Sequence, residues 1–190
     1  MEAFLASFGT VAVAEIGDRT QLLLLMISAR HRRPVPILAA MLLGTVLSTV
    51  LAAWIGERLS ALLHPRVVDW VVGVSLLVMA LWALRAETPR ASDATARRGG
   101  VFISTLVSFC IAELGDKTQI ATAVLAAAYH NSIAVVIGST FGIVLACAPA
   151  VLVGHAFSAR LPLRAIRITS SLLFFGLGVL FLVRAAEVFA

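Results

Sequence analysis

Ala14-Glu15-Ile16-Gly17-Asp18-Arg19-Thr20-Gln21 and Ala112-Glu113-Leu114-Gly115-Asp116-Lys117-Thr118-Gln119 are one eight-residue stretch written twice. Six of the eight positions are identical, and the other two exchange Ile for Leu and Arg for Lys. Each copy sets two carboxylates and one cation inside an apolar run. The copies stand 98 positions apart, and the same offset relates Gly44 to Gly142 and Gly56 to Gly154. An offset that holds without insertion marks a duplicated chain.

The surroundings define the class. Of 190 residues, 61% are hydrophobic and 13% are charged. A soluble domain carries about 25% charge and about 45–50% apolar residues. A core of this size cannot hide so much apolar surface, so the chain is expected to be an all-α integral membrane protein. The net charge of +5 does not indicate a nucleic-acid partner, because the arginines sit at the ends of apolar segments. Cys110 and Cys147 lie in apolar runs and suggest neither a disulfide framework nor a thiolate site. Glu2 precedes the first apolar stretch and Arg30–Arg33 follow it, opposite to the charge order of a cleaved signal. Residues 3–29 are therefore expected to be a retained membrane segment.

A membrane helix needs about 20 apolar residues. Six such segments are expected, at about 3–29, 35–57, 66–85, 101–129, 131–158 and 165–184. Tyr129-His130-Asn131-Ser132 divides the long uncharged run between the fourth and fifth. Pro149 is expected to kink the fifth. The duplication groups the segments as a repeat over 1–85, a linker over 86–100 and a repeat over 101–190. Three spans per repeat force the two copies into opposite orientations, the inverted plan of secondary transporters. Arg30, Arg32, Arg33, Arg85, Arg90, Arg97, Arg98, Arg160, Arg164 and Arg167 fall on one side, against Arg58, Arg66 and Arg184 on the other. This bias predicts that both termini lie outside and that the 86–100 linker lies in the cytoplasm of a cell-membrane protein.

Carboxylates at membrane depth cost at least about 2.5–3.5 kcal/mol each. Glu15 and Asp18 are three apart and would share one face of a continuous helix, as would Glu113 and Asp116. An inverted repeat would bring the two faces together. The expected result is a midplane cage of four carboxylates, with the oxygens of Thr20, Gln21, Thr118 and Gln119 nearby. Oxygen-only cages suit hard cations such as Ca²⁺, Mn²⁺ and Mg²⁺. Neither copy contains a histidine, which argues against zinc. Gly17 and Gly115 would loosen the helix or let another helix approach. Arg19 and Lys117 balance part of the charge, leaving −2 on the set. That matches one divalent cation, or about two protons after the cation leaves, since an empty ionised cage is costly in low dielectric. One copy alone could be a self-contained ion pair of Glu15 or Asp18 with Arg19. Two equivalent copies, each with excess acid, point to ion handling.

Other polar residues read more plainly. Thr45, Ser48 and Thr49 could face the cavity, though hydroxyls in membrane helices more often bond their own backbone. Cys110, three before Glu113, could do the same. His31 and His64 read as solvated, and His130 and His155 stand near helix ends. Gly138 and Gly142 form a small-xxx-small pattern for close helix contact. Trp54, Trp70 and Trp82 read as interface anchors.

At the paired motif the chain resembles a family of small exchangers of bacteria, thylakoids and the Golgi, defined by two copies of E-x-G-D-[KR]-[ST]. Glu15-Ile16-Gly17-Asp18-Arg19-Thr20 and Glu113-Leu114-Gly115-Asp116-Lys117-Thr118 match at every position. The resemblance implies exchange of Mn²⁺ and/or Ca²⁺ against H⁺, manganese export in bacterial members, and the acidic pairs as ion ligands. No resident cofactor is implied. The expected partners are divalent cations, protons and the lipid bilayer. The oligomeric state stays open, with a homodimer as one option.

Three other classes compete, one of them a purely structural membrane subunit. A passive divalent cation channel could use the same acidic cage. An intramembrane enzyme would need a nucleophile or an open metal position, and no Ser/His pair or H-E-x-x-H motif is present, so an enzyme is not expected.

Overall fold

The computed structural model describes residues 1–84, 100–153 and 163–187. The described residues form eight α-helices: α1 (Glu2–Glu15), α2 (Arg19–His31), α3 (Pro34–Leu62), α4 (Pro65–Ala83), α5 (Gly100–Glu113), α6 (Lys117–Tyr129), α7 (Ser132–Val153) and α8 (Leu163–Glu187). Most of the linker, Gly154, His155 and Arg160 lie outside the described residues.

Eight helices stand where six segments were expected, because two segments are broken. The expectation of one helix over 3–29 and another over 101–129 is corrected at the motifs. α1 stops at Glu15, Ile16 turns extended (φ −64°, ψ 123°), and Gly17 takes a left-handed φ of 75°. Gly115 repeats this with a φ of 74°. Only glycine takes such a φ at little cost. The chain re-enters a helix through Asp18 and Asp116, both extended N-caps. Glu15 and Asp18 therefore flank a break and do not share a helix face.

The other turns follow from local chemistry. Arg32 and His130, also 98 apart, cap α2 and α6 in the left-handed region with φ values of 51° and 48°. Pro34 and Pro65 open α3 and α4, where their missing N–H costs nothing. Asn131 accepts from the Ala134 N–H and starts α7. Pro149 lies within α7, where it removes a backbone donor. The backbone thus repeats its breaks and caps at the sequence offset of 98.

The polarity is inverted relative to a soluble fold. α3 and α7 are long and apolar enough to cross a membrane, each with a mean hydropathy of 2.2. The 29 residues of α3 reach about 43 Å at about 1.5 Å per residue. Leu43, Leu47, Val50 and Trp54 on α3 are exposed, as are Val71, Val78 and Leu81 on α4. Glu15, Asp18, Glu113, Asp116 and Lys117 are buried. Apolar outside and charged inside is the arrangement a lipid solvent demands.

The two halves are interleaved. α1 packs along α7, and α3 packs against α5, α6 and α7. Gly138 and Gly142 make the first seam possible. A Cβ on Gly138 would lie 2.6 Å from the Phe4 carbonyl oxygen, and one on Gly142 would lie 2.9 Å from the Phe8 carbonyl oxygen and the Ala12 nitrogen. The small-xxx-small pattern therefore marks backbone contact between halves. α4 and α8 form the other extensive pairing.

Candidate metal centre

Each motif builds a helix end, a sharp turn and a helix start. Asp18 Oδ1 accepts from the Arg19 N–H at 2.8 Å, capping α2. The Gly17 N–H donates to Gln21 Oε1 at 2.7 Å, and the Gly115 N–H donates to Gln119 Oε1 at 2.9 Å. Each glutamine thus clips its own glycine and holds the break. Gln21 Nε2 also donates to the Ala146 carbonyl on α7 at 2.6 Å. The glutamines, expected beside an ion, each use one lone pair of the amide oxygen on the turn and retain a second.

Glu15, Asp18 and Asp116 offer one oxygen apiece, all within 4.8 Å of one another, and all three residues are buried. These are three of the four expected carboxylates, drawn from both motifs. Glu113, also buried, lies outside this close group. Its Oε2 accepts from Ser48 Oγ at 3.3 Å. Its Oε1 has no hydrogen-bond partner among the described residues. Thr118 Oγ1 donates to Asp116 Oδ2 at 3.2 Å, while Thr20 is fully buried with its hydroxyl in no hydrogen bond among those residues.

The cations cross between motifs. Lys117 Nζ lies 3.0 Å from Asp18 Oδ1, and Arg19 Nη2 lies 3.1 Å from Asp116 Oδ1. Arg19 Nη2 also donates to the Ala112 carbonyl at 2.8 Å. The Lys117 side chain is 7% exposed and that of Arg19 is 32% exposed, so the lysine pair is the drier of the two. Removing one partner of a buried pair costs about 3–5 kcal/mol, because the remaining charge is left uncompensated. These bridges therefore lock the two helix breaks against each other.

One contact was not legible in the motif. Cys147 on α7, fully buried, donates through Sγ to Glu15 Oε1 at 3.5 Å. The sequence favours a packing role for it and draws attention to Cys110, which is only half-buried. A signal existed in the offset, since Cys147 stands 98 positions after Thr49. Thr49 bonds the Thr45 carbonyl of its own helix at 2.8 Å, as hydroxyls in membrane helices commonly do. Ser48 bonds Thr45 as well and also reaches Glu113.

The donor set is oxygen-rich, with one sulfur at its edge and a helix N-terminus, Asp18 or Asp116, on either side. It can hold a hard or borderline divalent cation, or bind protons.

Comparison with known proteins agrees with this chemistry. Residues 3–91 and 101–188 match the family described as divalent cation/proton antiporter GDT1. The chain is 42% identical to the Vibrio cholerae protein named "Putative manganese exporter", over 92% of this chain and 87% of that protein. It is 26% identical to the Synechocystis GDT1-like protein sll0615, over 92% of this chain and 94% of that protein. It is 22% identical to the divalent cation/proton antiporter GDT1 of Saccharomyces cerevisiae, over 97% of this chain and 85% of that protein. No solved structure matches the chain.

Proposed function

The chain belongs to the GDT1 family of divalent cation/proton antiporters, and from that premise we propose that it exports Mn²⁺ from the cytoplasm in exchange for protons. The observation that carries this reading is the buried group of Glu15, Asp18 and Asp116, contributed by both motifs and neutralised only in part by Arg19 and Lys117. With Glu113 the set is left at −2, which one divalent cation or about two protons would cancel. Neither state leaves bare charge in low dielectric, so cation and proton replace each other. The name borne by the Vibrio cholerae relative supports Mn²⁺ as the principal cargo, and the oxygen donors suit Ca²⁺ as a second.

In this reading the chain crosses the cell membrane six times as two inverted repeats, 1–85 and 101–190. The first and fourth crossings are the broken helices. Discontinuous helices that meet at the midplane are a recurring device of secondary transporters. Both termini face outside, and the linker is cytoplasmic. The site faces each side alternately as one repeat rocks against the other, across a seam where α1 and α3 pack on helices of the opposite half.

The experiment is Mn²⁺ uptake into proteoliposomes under an imposed pH gradient, with Ca²⁺ and Mg²⁺ in parallel. Uphill Mn²⁺ flux driven by the proton gradient is expected. Flux that only follows the cation's own gradient would instead identify a passive channel. Topology is tested separately: a cysteine at Asp93 should resist external labelling, and one at Ala61 should react.

A further inference from the structure

We propose that the crevice between α3 and α7 holds one phospholipid with a phosphoethanolamine headgroup, its ammonium on Glu57, its phosphate on Arg58 and an acyl chain along the crevice floor. The proposal is independent of the transported ion and rests only on the membrane-spanning class of the chain.

The crevice has a volume of about 310 Å³. Val50 and Ala53 of α3 and Val136 and Ile137 of α7 form its walls, and Trp54, Glu57, Ser132 and Ile133 complete the lining. Val50, Trp54, Ile133 and Ile137 are exposed, so the crevice opens sideways, on the surface that faces lipid. Glu57 lies in the last two turns of α3, and Ser132 is the first residue of α7. This end is therefore at headgroup depth, which also suits Trp54. Val50 and Ile137 lie about 8–10 Å deeper, at about 1.5 Å per residue. The lining is polar at the shallow end and aliphatic at the deep end, the polarity profile of a phospholipid. A divalent cation would need several converging oxygens, and the crevice offers one carboxylate and one hydroxyl.

The charges at the mouth are unmatched. Glu57 Oε2 accepts from Ser132 Oγ at 2.7 Å, and no cation pairs with this carboxylate among the described residues. Arg58, the next residue, lies instead over the Trp54 ring, 5.6 Å from its centroid. It forms no ion pair among the described residues either. A guanidinium stacked on an aromatic face keeps its edge N–H groups free. A carboxylate and a guanidinium at one mouth, not paired with each other, fit a ligand that carries both signs. Phosphoethanolamine brings three N–H donors for the carboxylate and a phosphate that a guanidinium binds through parallel hydrogen bonds. Phosphocholine carries the same charges without an N–H donor. The opposite flank of α3 has a smaller crevice of about 150 Å³, bounded by Leu59, Val68 and Ala123 and by no charged residue among those described. It offers a headgroup nothing to hold.

The test loads the full chain, in mild detergent, with equal amounts of phosphatidylethanolamine and phosphatidylcholine of the same acyl chains. Native mass spectrometry counts the lipid retained, and thermal unfolding checks that each variant is folded. Wild-type protein should retain one phosphatidylethanolamine and prefer it over phosphatidylcholine by about threefold, the weight of an exposed ion pair. Glu57→Gln should abolish the preference, Arg58→Gln should weaken retention of both lipids by about threefold, and Ile137→Trp, which fills the crevice from an exposed position, should expel both. N-monomethyl and N,N-dimethyl phosphatidylethanolamine should fall between the two parent lipids on wild-type protein, a comparison that needs no variant. Equal retention of the parent lipids by wild type overturns the proposal, as does a preference that survives Glu57→Gln. Retention unchanged in Ile137→Trp places the lipid elsewhere and overturns it. A stronger hold on phosphatidylglycerol than on phosphatidylethanolamine overturns it in favour of a purely anionic ligand. A lipid-free dimer by light scattering that Ile137→Trp dissociates overturns it in favour of a second copy of the chain.

Discussion

Lys117 Nζ sits 3.0 Å from Asp18 Oδ1, although the two residues stand in opposite halves of the chain. Arg19 answers with Asp116, so each motif's cation neutralises the other motif's aspartate. The two breaks are therefore one electrostatic unit. Lys117→Met should destabilise the protein by about 3–5 kcal/mol, and Lys117→Met combined with Asp18→Asn by less than the two single changes together. A double-mutant cycle on denaturation in detergent measures the coupling. Additive single effects would show that the pair is not coupled. Arg19→Lys should cost less, since that side chain is partly exposed.

Glu15→Gln, Asp18→Asn and Asp116→Asn should each abolish proton-coupled Mn²⁺ flux. Ligand binding to the native state alone stabilises it by RT ln(1 + [L]/Kd), about 2.7 kcal/mol at a hundredfold excess over Kd. Wild-type protein should thus melt at a higher temperature with Mn²⁺, and these variants should lose most of that increment. A full Mn²⁺-dependent shift in all three would remove the carboxylate group from the transport site.

Cys147 offers a soft atom beside Glu15, and soft donors favour transition metals over Ca²⁺. Cys147→Ser should narrow the preference for Mn²⁺ over Ca²⁺ by roughly three- to tenfold, the weight of a contact of about 1 kcal/mol. Competition of Ca²⁺ against Mn²⁺ uptake reads this directly. An unchanged ratio would leave Cys147 with a packing role.

Gly115 holds a φ of 74°, and a Cβ there would meet no atom within 4 Å. The cost of Gly115→Ala is therefore conformational, about 1–2 kcal/mol. Gly115→Asn should cost less, because asparagine visits the left-handed region more readily. Thermal unfolding of the two variants orders them, and equal losses would point to a packing cause.

The duplication, the helical class and the acidic motif were all legible in the sequence, because they depend on composition, spacing and identity at one offset. The helix breaks were less so. Glu15 to Gln21 is compatible with a continuous helix, and only the backbone shows Gly17 in the left-handed region with Gln21 clipped to it. The crossed ion pairs were not legible, since nothing local distinguishes Arg19 pairing with Asp18 from Arg19 pairing with Asp116. Cys147 was hidden for the same reason, being brought to Glu15 by the packing of α7 along α1.

The interleaving of α1 with α7 and of α3 with α5 has a consequence for biosynthesis. The first half leaves the ribosome before its packing partners exist. Until α5 to α7 are inserted, Glu15 and Asp18 wait in the bilayer without Lys117, and α1 without its glycine-lined groove. Completion of the chain is thus also the assembly step, and a ribosome that stalls in the linker leaves an orphan that membrane quality control should degrade.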